Sequence, residues 1–282
     1  MVARRTGPRR SPGRRLVLVG GLALLTVWTL IPIAWMALTS IKPTADLYAK
    51  PSLWPRDMTS QNYATVLTQS EFTTWLRNSV VVAVCTTLIA MVVGMLAAYA
   101  MTRLDFRGKR LIGNVTIISY LIPPAILFIP LFQIALQFHL SNKAVGLIPI
   151  YLIFSVPFCT WLAVSYFRTI PAELEEAALV DGANRLQVLG RIIVPLSLPA
   201  LAVIALFSFT QSWNEFLFAL ILISSGPQET LPVGLANYII GDVLEWGPLM
   251  AGSLLASLAP VLIYFLAQRW VVTGLVAGAT KG

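Results

Sequence analysis

Residues 168–199 read RTIPAELEEAALVDGANRLQVLGRIIVPLSLP, a polar stretch set between two long apolar runs. Pro171 suits a first helical position, where its missing N–H costs nothing. Glu173, Glu175 and Glu176 follow in the first turns, where carboxylates meet the positive end of the helix dipole. Gly182 ends that helix, because glycine takes the left-handed conformation without a Cβ penalty. Asn184 caps a second helix, with Gln187 three residues on as its capping-box partner. Pro195 marks the approach to the next apolar run. The stretch thus predicts a helix, a glycine turn and a second helix outside the bilayer. Ala177 and Ala178 leave a low, smooth surface on the first helix, which another protein's groove can approach closely. The same residues also fit a hairpin that merely links two spans. A DNA-binding helix-turn-helix, which shares the turn glycine, fits worse, because the acidic first helix would repel phosphate.

Outward from this loop the chain is apolar. It has 282 residues, 57% hydrophobic and 11% charged, and a mean hydropathy of +0.78. Soluble domains carry about 25% charged residues, so this composition hides its apolar surface in lipid. A crossing helix needs about 20 apolar residues, and six such runs occur, at 16–38, 75–101, 111–138, 145–166, 196–223 and 244–270. The expected fold class is an all-α membrane protein of six transmembrane helices over residues 16–270. A basic tail, 1–15, precedes them, and a short tail, 271–282, follows. The polar loop, 168–195, joins the fourth span to the fifth. The first run is too long for a signal-peptide core and no small-residue cleavage site follows it, so it reads as an uncleaved span. Arg14 and Arg15 before it read as a topology signal rather than a twin-arginine leader.

The net charge of +8 does not point to nucleic acid, because the basic residues cluster in short loops at span ends. Arg4, Arg5, Arg9, Arg10, Arg14 and Arg15 lie on one side, with Arg103, Arg107, Lys109 and Arg110. Arg168, Arg185, Arg191, Arg269 and Lys281 share that side. The other side holds Lys42, Lys50, Arg56, Arg77 and Lys143. The positive side is cytoplasmic, which puts both termini and the 168–195 loop in the cytoplasm of a multi-pass protein of the cell (inner) membrane. Cys85 and Cys159 fall inside predicted spans and read as small buried apolar residues. The sole histidine, His139, excludes a histidine-based metal site and a Ser/His/Asp arrangement. No G-x-x-x-x-G-K-[ST] stretch occurs. The chain is expected to be no enzyme and to hold no cofactor.

The polar loop carries a longer pattern: Glu176-Ala177-Ala178, three residues, Gly182, nine residues, Ile192, one residue, Val194 and Pro195. It resembles the EAA loop of ABC-importer permeases, with Val194 at a Leu-like position. The likeness extends over residues 23–282. Ser40-Ile41-Lys42, Asn62-Tyr63, Asn78-Ser79, Ala97-Ala98-Tyr99-Ala100, Arg103 with Phe106 and Gly108, Ile129-Pro130-Leu131-Phe132, Trp213-Asn214-Glu215-Phe216 and the residues 274–282 occur in order. Together they look like the MalG-like subunit of maltose-type, oligosaccharide ABC importers. The resemblance implies a type I ABC importer fold and a second, different permease subunit. It also implies two ATP-binding subunits, which hold ATP and Mg and do the hydrolysis, and an extracytoplasmic solute-binding protein. The implied cargo is a carbohydrate, with polyols and glycerol phosphates also carried in the family. The implied ATPase-coupling residues are Glu175, Glu176, Ala177, Ala178, Asp181 and Gly182, with Glu176 anchoring to a basic group on the ATPase.

The fifth span predicts a solute pathway. At about 100° per residue, Ser208, Gln211, Ser212, Asn214 and Glu215 fall on one arc with Trp213 beside it. A polar arc on a spanning helix faces a neighbour or water rather than lipid, which fits a cavity or a subunit interface. Glu215 is either part of the path or a structural partner of Arg77 or Asn78. Tyr120, Phe209 and Trp213 offer faces for sugar stacking, and Gln133, Gln211 and Asn214 offer partners for hydroxyls. Pro123, Pro124 and Pro130 make the third span a gate element, since each proline frees a carbonyl and can kink the helix. A secondary transporter is a rival reading, but such proteins show internal repeats and coupling-ion carboxylates, and here one carboxylate and no obvious repeat are found.

Overall fold

The computed structural model describes residues 12–48, 54–224, 226–240 and 243–279. The tail cations Arg4, Arg5, Arg9, Arg10 and Lys281, and Lys50 in the first outer loop, lie outside the described residues. Helix α1 (Pro12–Ser40) carries the first apolar run, and the short α2 (Thr44–Tyr48) and α3 (Gln61–Ala64) follow it. The second span is α4 (Phe72–Arg103), the third is α5 (Lys109–Leu121) with α6 (Pro124–Gln137), and the fourth is α7 (Leu147–Phe167). The polar loop forms α8 (Glu173–Val180) and α9 (Arg185–Val188). After it come α10 (Val194–Leu196), α11 (Leu198–Trp213), α12 (Leu217–Leu222) and α13 (Leu231–Ala236). A two-residue antiparallel ribbon, β1 (Ile239–Ile240) on β2 (Val243–Leu244), leads into the last helix, α14 (Trp246–Ala279).

The centre of the molecule is α4 against α7. Ala83, Thr87, Ala90, Gly94 and Ala98 recur every three or four residues on the buried face of α4. Small residues let two membrane helices approach closely, which is where packing energy in lipid comes from. The approach is tightest at Gly94, where an added Cβ would stand 2.8 Å from Cys159 Cβ and 3.1 Å from the Thr160 nitrogen. Helix α11 packs on this pair, α14 packs on α11, and α1 lies chiefly along α14. None of the most apolar stretch of α1 is buried.

Four of the expected spans are single helices, and two are broken. The third was expected as one run over 111–138, but α5 and α6 meet at 102°. The cause is the pair Pro123-Pro124. A residue before proline is driven out of the helical region, and Ile122 and Pro123 both adopt extended ψ, 122° and 126°. Pro130 lies inside α6 without ending it. The fifth was expected over 196–223. Instead the segment Arg185–Leu196 meets α11 at 83°, and α11 stops at Trp213 before the separate α12.

On the side opposite the 168–195 loop, residues far apart in sequence are clasped. The Asn62 amide donates to the carbonyls of Ser40 (2.8 Å) and Lys42 (2.9 Å), and the Tyr63 hydroxyl lies 2.8 Å from Ser40 Oγ. The Asn78 amide donates to the carbonyls of Pro227 and Glu229, and Ser79 Oγ accepts from the Leu231 N–H at 2.7 Å. These bonds tie the outer loops to the head of α4.

Candidate functional site

The polar loop folds as its residues dictate. Gly182 has φ +88°, the left-handed region. The Gly182 N–H donates to the Leu179 carbonyl (3.1 Å) and the Ala183 N–H to the Ala178 carbonyl (3.0 Å), the paired bonds of a glycine helix stop. Asn184 Oδ1 accepts from the Gln187 N–H, and Gln187 Oε1 accepts from the Asn184 N–H, both at 2.9 Å. The capping box predicted for α9 is therefore formed.

Helix α8 has two faces. Ala178 and Leu179 pack into the core cluster that holds the inner ends of α4 and α7. Glu175 is three and four residues before them, so it shares their face, and it is only 4% exposed. Its Oε2 lies 3.1 Å from Arg103 Nε at the end of α4, and its Oε1 lies 3.8 Å from Arg185 Nη1. The Tyr99 hydroxyl donates to the same Oε1. Arg103 Nη2 also donates to the Phe167 and Ile170 carbonyls, at 3.2 and 2.7 Å, just past α7. Glu175, expected among the ATPase-coupling residues, turns inward and pins α8 to the spans. Glu176, Ala177, Asp181 and Gly182 are exposed, Ala178 is half-buried, and Val180 beside them is 88% exposed. Arg103 and Tyr99 were not expected in this site. The spacing of Glu175 to Ala178 and Leu179 was the signal that places its carboxylate inside.

The expected pathway arc divides. Ser208, Ser212 and Trp213 are buried in the chain, and Gln211 is half-buried. Gln211 Oε1 and Ser212 Oγ have no hydrogen-bond partner. Asn214 and Glu215 are not on α11, which ends one residue earlier. Glu215 accepts from the Phe218 N–H (2.9 Å), the Ala219 N–H (3.2 Å) and the Tyr151 hydroxyl (2.6 Å). It thus caps α12 and ties it to α7. Among the described residues it forms no ion pair with Arg77, and the Asn78 amide is spent on the outer loop.

Asn214 is exposed and, with Trp213, lines a cleft of about 450 Å³ that Ser253 and Ser257 of α14 also line. Phe209 stacks on Trp213 with ring centres 5.4 Å apart, inside the core rather than in the cleft. Tyr120 is exposed on α5 and stands 5.6 Å from the ring of Phe158, which stacks at 3.7 Å on Phe207. Phe158 and Phe207 were not singled out in the sequence, because aromatics inside apolar runs carry no periodic mark. Gln133 is exposed on α6. Among the described residues no three His, Cys, Asp or Glu side chains gather as a metal site.

Residues 90–276 match the family model described as the binding-protein-dependent transport system inner membrane component. The chain is 37% identical to the inner membrane ABC transporter permease protein YcjP of Escherichia coli, over 93% of its own length and 95% of that protein. It is 34% identical to the trehalose/maltose transport system permease protein MalG of Thermococcus litoralis, over 95% and 98% of the two chains. Its fold matches a chain of a bacterial ABC transporter that imports the acidic polysaccharide alginate. The TM-score is 0.77 at 24% identity, covering 93% of this chain and 99% of that one. A match spanning more than half of the chain, on an all-helical membrane fold with this loop, has one meaning: the protein belongs to the binding-protein-dependent inner membrane components, multi-pass permease subunits of ABC transporters that are not themselves catalytic.

Proposed function

We propose that the chain forms half of the translocation path of a carbohydrate importer and takes its drive from an ATPase docked on α8. The observation that carries the coupling reading is the two-faced α8. Its inner face is fixed by Glu175, Ala178 and Leu179, and its outer face presents Glu176, Ala177 and the exposed Val180. A short rigid helix with a low alanine surface and exposed carboxylates at Glu173 and Glu176 suits a groove with a basic group in it. A charge-assisted contact to Glu176 exceeds a neutral hydrogen bond. The loop lies on the side richest in Lys and Arg, which supports a cytoplasmic position for it and for both termini.

Ala177→Trp, on the exposed face, fills the space a groove needs, and Gly182→Val displaces the helix. Both variants should insert in the membrane yet retain less ATPase there and lose solute-stimulated ATP hydrolysis. Wild-type retention and stimulation in both would reduce the loop to a linker.

The carbohydrate reading rests on relatives whose names specify trehalose/maltose, sulfoquinovosyl glycerol and diacetylchitobiose. The cleft at Trp213, Asn214, Ser253 and Ser257 supports it, since aromatic, amide and hydroxyl groups without charge suit a neutral polyhydroxylated solute. A di- or oligosaccharide is proposed, and a polyol or glycerol phosphate is the alternative. Asn214→Leu should lower uptake of labelled disaccharide while the complex still assembles. Unchanged uptake would remove the cleft from the route.

A further inference from the structure

Arg103 joins three elements that a transport cycle must move together. It ends α4, donates to the Phe167 and Ile170 carbonyls beyond α7, and faces the buried Glu175 carboxylate of α8. Its side chain is 14% exposed and that of Glu175 is 6% exposed. Tyr99, one turn earlier on α4, donates to the other carboxylate oxygen, and Arg185 approaches that oxygen from the start of α9. The Nε–H of Arg103 makes no aligned hydrogen bond to Glu175, although the atoms lie 3.1 Å apart. The contact is thus held by charge, while the two carbonyl bonds are directional. The hub would stay intact through a small rotation of α8, since Coulomb attraction varies gently with angle.

We propose that Arg103 is the positioning residue that transmits displacement of α8 to the spans α4 and α7, with Glu175 and Tyr99 as its partners. The inference rests on the coupling reading above, in which the ATPase grips the opposite face of α8. Among the described residues no other ion pair joins α8 to a span. Without the guanidinium, α8 keeps the Tyr99 hydroxyl on Glu175 and the apolar contacts of Ala178 and Leu179 to the spans, and an α8 moved by the ATPase would slide on them. A lysine would keep the charge but lack the planar fork that serves carboxylate and carbonyls at once.

The test uses the assembled complex in proteoliposomes and reads solute carried per ATP hydrolysed, with ATPase retained on the membrane measured in parallel. Arg103→Gln should lower the transport ratio by about two- to thirtyfold, the range that coupling-path substitutions span, while ATPase retention stays near that of the unaltered complex. Arg103→Lys should fall between the two. Tyr99→Phe, which deletes one hydroxyl and keeps the ring, should show a smaller loss in the same direction and serves if Arg103→Gln does not assemble. A merely structural role would change the yield of complex and leave the ratio per complex intact. An unaltered ratio in both Arg103→Gln and Tyr99→Phe would overturn the proposal, and an unaltered ratio in Tyr99→Phe alone would do so where Arg103→Gln yields no complex. Failure of the coupling reading itself would appear elsewhere, as full ATPase retention by Ala177→Trp.

Discussion

At the scale of single residues, Gly182 and Glu175 show what one position can and cannot tell. Gly182 has φ +88°, and nothing stands within 4 Å of the Cβ it lacks. Its requirement is conformational and not spatial, so Gly182→Ala should cost the loop about 1–2 kcal/mol, the left-handed penalty for a residue with a Cβ. Gly182→Asn should cost less, because Asn visits that region readily. Hydrogen exchange over residues 178–187 in the assembled complex checks the order, and equal protection in both variants would deny the conformational origin. The need for this glycine was legible in sequence, since a helix stop is a local demand. The direction of Glu175 was not read, although it follows from the same stretch. Carboxylates near a helix start favour the dipole whichever way they point, so charge alone did not separate Glu175 from Glu176. Removing one partner of a buried pair leaves the other charge uncompensated, which costs about 3–5 kcal/mol. Glu175→Ala and Arg103→Ala should therefore each loosen the loop, and the double variant should lose less than the sum. Thermal unfolding of the complex measures this, and strict additivity would mean that the two side chains do not interact.

Among the elements, continuity was the feature hidden from the sequence. Apolar windows locate all six crossings but average over two or three residues that leave the helix. Pro123-Pro124 was visible as a kink signal, whereas its size of 102° depends on two consecutive residues being forced to extended backbone. The stop of α11 at Trp213 was not visible, because Asn214 and Glu215 continue the helical arc in projection. What ends that arc is Glu215 capping α12 and accepting from Tyr151. Glu215→Leu should free two backbone donors and one hydroxyl, and unfold the complex at lower temperature than Glu215→Gln, which keeps one acceptor oxygen. Tyr151→Phe should be the mildest. Leu no worse than Gln would show that the cap contributes nothing. The α4–α7 seam gives a second test. Gly94 meets the Cys159 Cβ and backbone atoms near Thr160, so Gly94→Leu should wedge the helices apart, at about 1–3 kcal/mol or more for an overpacked site. Gly113 meets only the flexible end of Met101, at 3.1 Å, so Gly113→Ala should be tolerated. Comparable losses in the two variants, read as yield of folded complex, would contradict the packing argument.

The whole molecule is unfinished as a single chain. Its first helix presents its apolar stretch with none of it buried, and among the described residues it packs chiefly on α14. Lipid covers such a surface at no cost, so exposure alone does not specify a partner. The polar features are more demanding. The exposed Asn214 amide opens into a cleft lined by residues of α11, α13 and α14. In a membrane an unsatisfied polar group costs several kcal/mol, so this face is completed by water in a path or by another permease. The chain offers one α8 edge for one ATPase, and ATP-driven import with two ATPases then needs a second docking loop from a second permease. On the proposed reading, which follows the resemblance to maltose-type systems, that second permease is expected to be a different chain. Purified from its own membrane through a tag on this chain, the complex should contain one copy of it, one different permease and two ATPase subunits, as counted by intact-complex mass. Mixed tagging with two labels on this chain should give no doubly labelled complex. An active, solute-stimulated complex holding two copies of this chain and no other permease would overturn the assignment of its polar face to a heteromeric path.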